Sequence, residues 1–313
     1  MSQSLLVLEA LVPVIVVIGV GALLRKYEVL REDIERGMMQ MVVQVLLPAL
    51  TLANIIGNES LDDWGEVGMV AGFGCGGLLV GLALAYGFAG LMGMQKGDGK
   101  RTFGVTAGIQ NYGFMGVPLL LSLFPGDDLL GVLFTHNVGV ELAMWTVGVS
   151  LMSGDKNFSW RLFMKAPIIA VVVGLLINAV GLDPLFEGAP MAAFQMLGAA
   201  AIPIALIVIG AGLVELLRKE RFDWKVAIGA VVVRLVLIPA CMIGAAYALP
   251  ISLQLKQVMV IQAAMPAAMF PIVLAKHYGG KPEVAVQVVV ATTVACFVTM
   301  PFVIVIGMWA LGL

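Results

Sequence analysis

Charge is scarce in this chain. Only 12% of its 313 residues are Asp, Glu, Lys or Arg, while 61% are apolar and the mean hydropathy is +1.03. Such a composition excludes an ordinary soluble domain and indicates a polytopic all-α membrane protein. Cysteine and histidine are scarcer still, at three and two. Cys75, Cys241 and Cys296 fall within apolar stretches, where a disulfide framework is not expected, and read as small packing residues. His136 and His277 stand in different halves, and neither HExxH nor a metal-type Cys/His spacing occurs, so no metal or cofactor is expected. The phosphate-binding pattern GxxxxGK[ST] is also missing. The pairs Gly99-Lys100 and Gly280-Lys281 lack its upstream glycine and following hydroxyl, which removes a nucleotide-driven pump. No nucleophile, base and orienting group stand at recognisable spacings, so an enzyme is the least favoured class. The loops are too short for a separate soluble domain, and no nucleic-acid partner is expected.

What the chain has in abundance is long apolar runs. Charges and turn residues divide it into ten, near residues 5–24, 38–56, 67–92, 102–124, 129–152, 166–181, 190–214, 225–249, 256–277 and 284–312. Most can cross a hydrocarbon core, which needs roughly 20 helical residues. The opening stretch has no basic residues ahead of its apolar run, so a cleaved signal peptide is not expected.

The few basic residues are sorted by loop. Arg25, Lys26, Arg31 and Arg36 follow span 1; Lys96, Lys100 and Arg101 follow span 3; Lys156, Arg161 and Lys165 follow span 5. Arg218, Lys219, Arg221 and Lys225 follow span 7, and Lys276 and Lys281 follow span 9. The even-numbered loops are almost free of positive charge. The positive-inside rule then puts the odd loops in the cytoplasm and both termini outside.

Six prolines repeat one another. Pro13, Pro48 and Pro118 correspond to Pro167, Pro203 and Pro271 at offsets of 154, 155 and 153. Proline removes a helical hydrogen bond and clashes with the preceding turn, so matched prolines in membrane spans indicate a repeated unit. The first repeat would be residues 1–152 and the second 153–313. Five spans per unit make the two copies inverted, a plan found in many secondary transporters.

Spans 4 and 9 carry the breaks. Residues 111–118 hold Asn111, Tyr112, Gly113, Gly116 and Pro118, a composition that disfavours a continuous helix. Span 9 has Pro266 and Pro271 at the equivalent depth, with Gln110 and Gln262 upstream of Pro118 and Pro271 at similar distances. Unwound there, each span would start a second half-helix near its proline. Two half-helix N-termini would then meet at the midplane, each contributing about half a positive elementary charge and free N–H groups. Such ends form an anion site without a buried cation. Glycine pairs such as Gly72/Gly76 and Gly77/Gly81 read as close helix-packing positions.

Two charges lie deep in spans, Glu141 in span 5 and Arg234 in span 8. Their cost predicts that each faces the interior with a partner. Three alternatives stand: a structural Glu141–Arg234 ion pair, which is favoured; a protonatable Glu141 that couples transport; and an Arg234 that anchors a carboxylate. His136 is read as hydrogen-bonded rather than as a proton relay. Gln44, Thr51, Asn54, Asn137, Thr292 and Thr293 are the uncharged polar positions that could line a cavity, and most are expected to hydrogen-bond between helices. Asn111 ranks above them, because its amide can donate to an anion at the break.

The sequence Asn111-x-x-x-Met115-Gly116-Val117-Pro118-Leu119-Leu120 resembles the auxin efflux carrier family. So do Val233-Arg234 followed by Pro239-Ala240, and Ala264-x-Pro266 with Pro271-x-Val273-x-Ala275-Lys276-x-Tyr278. That family includes plant auxin carriers and bacterial permeases for malate or malonate. The resemblance implies a fold of the bile-acid-symporter type, with helices 1, 2, 6 and 7 as a dimerising scaffold. Helices 3–5 and 8–10 would form a moving bundle that contains the crossed, broken helices 4 and 9. It implies that Asn111 contacts a substrate carboxylate, with Gln262 and the backbone around Pro266 taking the place of a second crossover asparagine. Plant members carry Gln four residues before a helix-5 Trp, where this chain has Glu141 before Trp145.

The expected function is therefore elevator-type secondary transport of a small mono- or dicarboxylate such as malate, malonate or an auxin-like acid. A homodimer in a bacterial plasma membrane would perform it, with a proton or sodium ion as the coupling partner. The alternatives are a sodium-coupled symporter of a bile-acid-like anion, and a channel or non-transporting sensor on the same fold.

Overall fold

A computed structural model describes residues 3–58, 61, 63–113, 115–125, 129–154, 166–219 and 223–313. Helices account for nearly all of the regular structure, and the described residues contain no β-sheet. The first apolar run is α1 (Gln3–Lys26). The second starts earlier than its hydropathy suggests: a polar, exposed helix, α2 (Glu32–Met41), continues through a π-helical turn (Val42–Leu46) into α3 (Leu47–Ile55). Next come α4 (Trp64–Leu91), the pair α5 (Arg101–Gly108) and α6 (Gly116–Leu123), and α7 (Leu129–Ala143), which passes through a π-helical turn into α8 (Val149–Ser153). The remainder comprises α9 (Ala166–Ala179), α10 (Ala189–Lys219), α11 (Trp224–Val232) joined by the π-helical turn Val233–Leu237 to α12 (Ile238–Ala248), the pair α13 (Leu253–Ala264) and α14 (Phe270–His277), and α15 (Pro282–Leu311).

Among the described residues, six runs are long and apolar enough to cross a membrane: Glu32–Ile55, Trp64–Leu91, Leu129–Ser153, Ala189–Val214, Trp224–Ala248 and Pro282–Leu311. The others are α1, the shorter α9 and the two broken pairs.

Local chemistry explains where the helices start and widen. The Asp63 carboxylate accepts the Gly65 amide at 2.8 Å, and that of Asp223 accepts the Lys225 amide at 2.8 Å, so an Asp-Trp step caps both α4 and α11. Such caps contribute about 1 kcal/mol each. The first and last of the π-helical turns end two residues before a proline, Pro48 and Pro239. Proline lacks the N–H that would close the preceding turn, and the widened ring absorbs that loss.

Glycines set the closest approaches. A Cβ on Gly74 would fall on the His136 carbonyl and one on Gly139 on the Ala71 carbonyl, so α4 and α7 pack backbone to backbone. Gly21 and Gly210 do the same for α1 and α10, against Ile207 and Ile18. The glycines expected from spacing behave otherwise. Gly81 does meet the Gly108 carbonyl, but Gly72, Gly76 and Gly77 have open space where a Cβ would stand. They line an apolar crevice of about 420 Å³ with Met69, Phe73, Cys241, Met242 and Met259. Spacing alone does not set rotation, and α4 is turned so that a different glycine face meets α7.

Two packing groups result. α1 lies along α10, and α3 packs on both α9 and α10; α4 packs on α5 and α7, while α15 packs on α5, α11, α12 and α13. At one end of the second group the Lys281 ammonium binds the Asp98 carboxylate, and the Lys281 amide donates to the Thr102 hydroxyl at 2.9 Å. These bonds tie the turn Lys96–Lys100 to the start of α15, and Gly99 takes φ +88° within that turn. The Lys281 hydrogen bond holds the Asp98 carboxyl below its ordinary value, and Asp98 raises the Lys281 ammonium above its own.

Lys156, Arg161, Lys165 and Arg221, which contributed to the orientation argument, lie outside the described residues.

Candidate functional site

Two helix interruptions meet in the interior. The first lies between Gly108 and Gly116 and starts slightly before its expected position, and the second covers residues 265–269, within the stretch expected for it. Pro118 is the third residue of α6 and Pro271 the second of α14. In a first turn the missing proline N–H has no helical partner to lose, so these prolines begin helices rather than interrupt them.

The freed backbone groups satisfy each other. The Asn111 amide donates to the Pro266 carbonyl at 2.7 Å, the Ala268 amide to the Ile109 carbonyl at 2.9 Å, and Gln110 faces Ala267 in an antiparallel bridge. The Ala267 amide finds the Thr292 hydroxyl of α15 at 3.2 Å. Unsatisfied backbone groups at membrane depth cost several kcal/mol each, so two unwound segments are stable only when paired in this way.

Tyr112 is the hub of the crossing. Its carbonyl accepts from Asn137 Nδ2 at 3.1 Å and from Gln262 Nε2 at 3.0 Å, so α7 and α13 both hold the first break. Its hydroxyl donates to Glu141 Oε1 at 3.3 Å. Asn137 Oδ1 lies 3.5 Å from His136 Nδ1, and both residues are buried. Gly116 packs against Gln262, Ile261 and Met265, and Phe270, the first residue of α14, meets Trp145 edge to face with ring centroids 5.2 Å apart.

Asn111 is buried, and no hydrogen bond engages its side chain among the described residues. Its amide group remains available to a guest. Gln110 and Gly113 stand on either side of it; Gln110 is buried, and Gly113 has open space where a Cβ would stand.

Arg234 does not join Glu141. Its Nη1 donates to the Gly108 carbonyl at 3.3 Å, at the end of α5, while the Glu141 carboxylate takes the Tyr112 hydroxyl. The favoured ion pair rested on similar depth along two spans. Depth does not specify which face of a helix carries the charge, and here Arg234 is directed at a helix end.

The sequence predictions at Gln110, Asn111, Tyr112, Asn137, Gln262, Pro266 and Glu141 thus fall in one connected cluster, with His136 at its edge. Thr292 makes the interhelical hydrogen bond expected of it, whereas the role of Phe270 against Trp145 was missed, because it depends on a contact between distant spans. The Asp-Trp caps at residues 63–64 and 223–224 could have been found, since they repeat between the halves. Two apolar crevices, one along α1 and Val214 and one lined by α4, α12 and Met259, contain no residue of the crossing.

The family described as Membrane transport protein matches residues 6–304. The chain belongs to this family of membrane transporters, which is auxin efflux carrier-like. An uncharacterized transporter of Methanothermobacter thermautotrophicus is 26% identical over 305 residues, covering 94% of this chain and 96% of the relative. Another, from Methanocaldococcus jannaschii, is 22% identical over 314 residues, covering 96% and 97%. Both alignments run nearly end to end, so the family extends over the entire packed structure and is not confined to one motif.

Proposed function

We propose that this membrane transporter is a secondary carrier for a small organic anion, with the substrate carboxylate held where the two broken helices cross. The observation that carries this reading is the buried Asn111 side chain, which has no hydrogen-bond partner among the described residues. It sits on a break pinned to Pro266 and held by Asn137 and Gln262. A rigid frame around one free amide suits recognition of a planar acceptor such as a mono- or dicarboxylate. The first turns of α6 and α14 add the positive ends of two short helix dipoles.

The wider arrangement in this proposal is ten spans in two inverted units, both termini outside, working as a homodimer in the plasma membrane. The capped Asp-Trp starts of α4 and α11 and the matched proline series support the repeat. α1, α3, α9 and α10 pack mainly on one another and meet α6, α7 and α15 less extensively, which favours an elevator-like displacement of one group against the other. Glu141, bonded to Tyr112 beside Asn111, is the candidate coupling group, since a deeply placed carboxylate can carry a proton through a transport cycle.

The test is uptake into proteoliposomes of radiolabelled malate, malonate and indole acetate, with imposed pH or sodium gradients. Saturable flux of at least one acid supports the reading, and a proton-gradient dependence absent from Glu141→Gln supports that coupling role. Flux that does not saturate identifies a channel, and binding without flux identifies a sensor.

A further inference from the structure

Arg234 is the most deeply buried charge described in the molecule, with none of its surface exposed. A guanidinium near the middle of a membrane span is costly, and it keeps its proton under all ordinary conditions. Its single hydrogen bond among the described residues runs from Nη1 to the carbonyl of Gly108, and Nε and Nη2 have no partner there.

The destination of that bond matters. Gly108 is the last residue of α5, and the next three residues form the break that pairs with Pro266, Ala267 and Ala268. The last carbonyls of a helix lack intrahelical partners and form the negative end of its dipole, where a cation is stabilising. The surrounding packing is fitted to this end. A Cβ on Gly108 would come within 2.9 Å of the Leu82 backbone, and one on Gly81 within 2.8 Å of the Gly108 oxygen, so α4 presses on the same carbonyl. Arg234 itself lies in the π-helical turn Val233–Leu237, which widens the helix ahead of Pro239.

We propose that Arg234 is a positioning residue: its cation holds the C-terminal end of half-helix α5 and thereby fixes the break that presents Asn111. The inference deepens the crossover reading of the site and rests on it for its functional meaning. Its test does not depend on transport. The charge also needs no carboxylate partner for this role, which accounts for Glu141 being bonded elsewhere.

The experiment is hydrogen exchange by mass spectrometry on the purified, substrate-free protein, comparing wild type with Arg234→Lys, Arg234→Gln and Arg234→Met. Peptides covering residues 105–112 report the break, and peptides from α10 and α15 report the rest. The neutral variants are expected to raise exchange in 105–112 at least tenfold with α10 and α15 unchanged, and lysine to stay within threefold of wild type. Neutral variants with unchanged exchange in 105–112 overturn the proposal, as does acceleration of equal size throughout the molecule. Should the neutral variants fail to fold, lysine decides. A folded Arg234→Lys protein with a protected break supports the role of the cation, and one that is unfolded or uniformly labile contradicts it. Absence of anion flux from a wild type with normal exchange would count against the proposed function alone.

Discussion

The Tyr112 hydroxyl donates to the Glu141 carboxylate across 3.3 Å, while the carbonyl of the same tyrosine is held by Asn137 and Gln262. The break in the first crossing helix is therefore attached at one residue to three side chains from two other helices. At 3.3 Å the O–H···O contact is longer than the usual 2.5–3.0 Å, so it belongs at the low end of hydrogen bonds to charged groups. Thermal unfolding of Tyr112→Phe, Glu141→Gln and the double variant should give a coupling energy of about 1.5 kcal/mol. Strictly additive losses would show that the bond contributes nothing.

Two glycines on one helix should respond in opposite ways to the same substitution. Gly74→Ala drives a methyl group into the His136 carbonyl, a backbone atom that cannot move aside, whereas Gly72→Ala enters open space. The first should lose about 1 to 3 kcal/mol or fail to accumulate as folded protein, as overpacked sites do. The second should be neutral or slightly stabilising, because alanine is the better helix former. Size-exclusion profiles and melting temperatures in detergent would compare them, and equal behaviour of the two would contradict the described rotation of α4.

The Asp98–Lys281 pair predicts the direction of a pH effect. Asp98 titrates below its ordinary 3.8 in the folded protein, so its contribution is complete above that value and is lost as the pH falls below it. Lys281 titrates above its ordinary 10.5, so its contribution is complete below that value and disappears as the pH rises further. Both groups are open to solvent, so the effect is small and salt-sensitive. The melting difference between wild type and Asp98→Asn should be constant from pH 5 to 9, shrink in high salt and decline as the pH is taken progressively below 3.8. A difference that stays the same in high salt and does not decline at all below pH 3.8 would mean that the pair is not its cause.

The features legible in the sequence are those set by local chemistry. Proline and glycine act on their own turn, so the breaks in spans 4 and 9 could be placed within a few residues, and hydropathy located the helices. The exact ends of the breaks could not be read, because Ile109 and Pro266 are drawn out of their helices to pair with Ala268 and Asn111 of the opposite segment. The destination of Arg234 and the choice of Gly74 over Gly72 depend on helix rotation. In a span that is apolar on nearly every face, composition carries almost no signal of rotation. α2 was missed at the start of the second run because its charged residues are exposed and outside the apolar pattern.

If the crossing of the broken helices holds a carboxylate through Asn111, the proposed function stands, and substrate affinity in wild type and Asn111→Ala decides it. For whichever acid the flux screen identifies, isothermal titration should show affinity weakened about 10- to 150-fold, the equivalent of about 1.5 to 3 kcal/mol for a lost hydrogen bond to a charged group. The melting temperature without ligand should stay close to that of wild type, since no bond to the Asn111 side chain is broken. A stable Asn111→Ala protein that binds the acid with wild-type affinity would contradict the account.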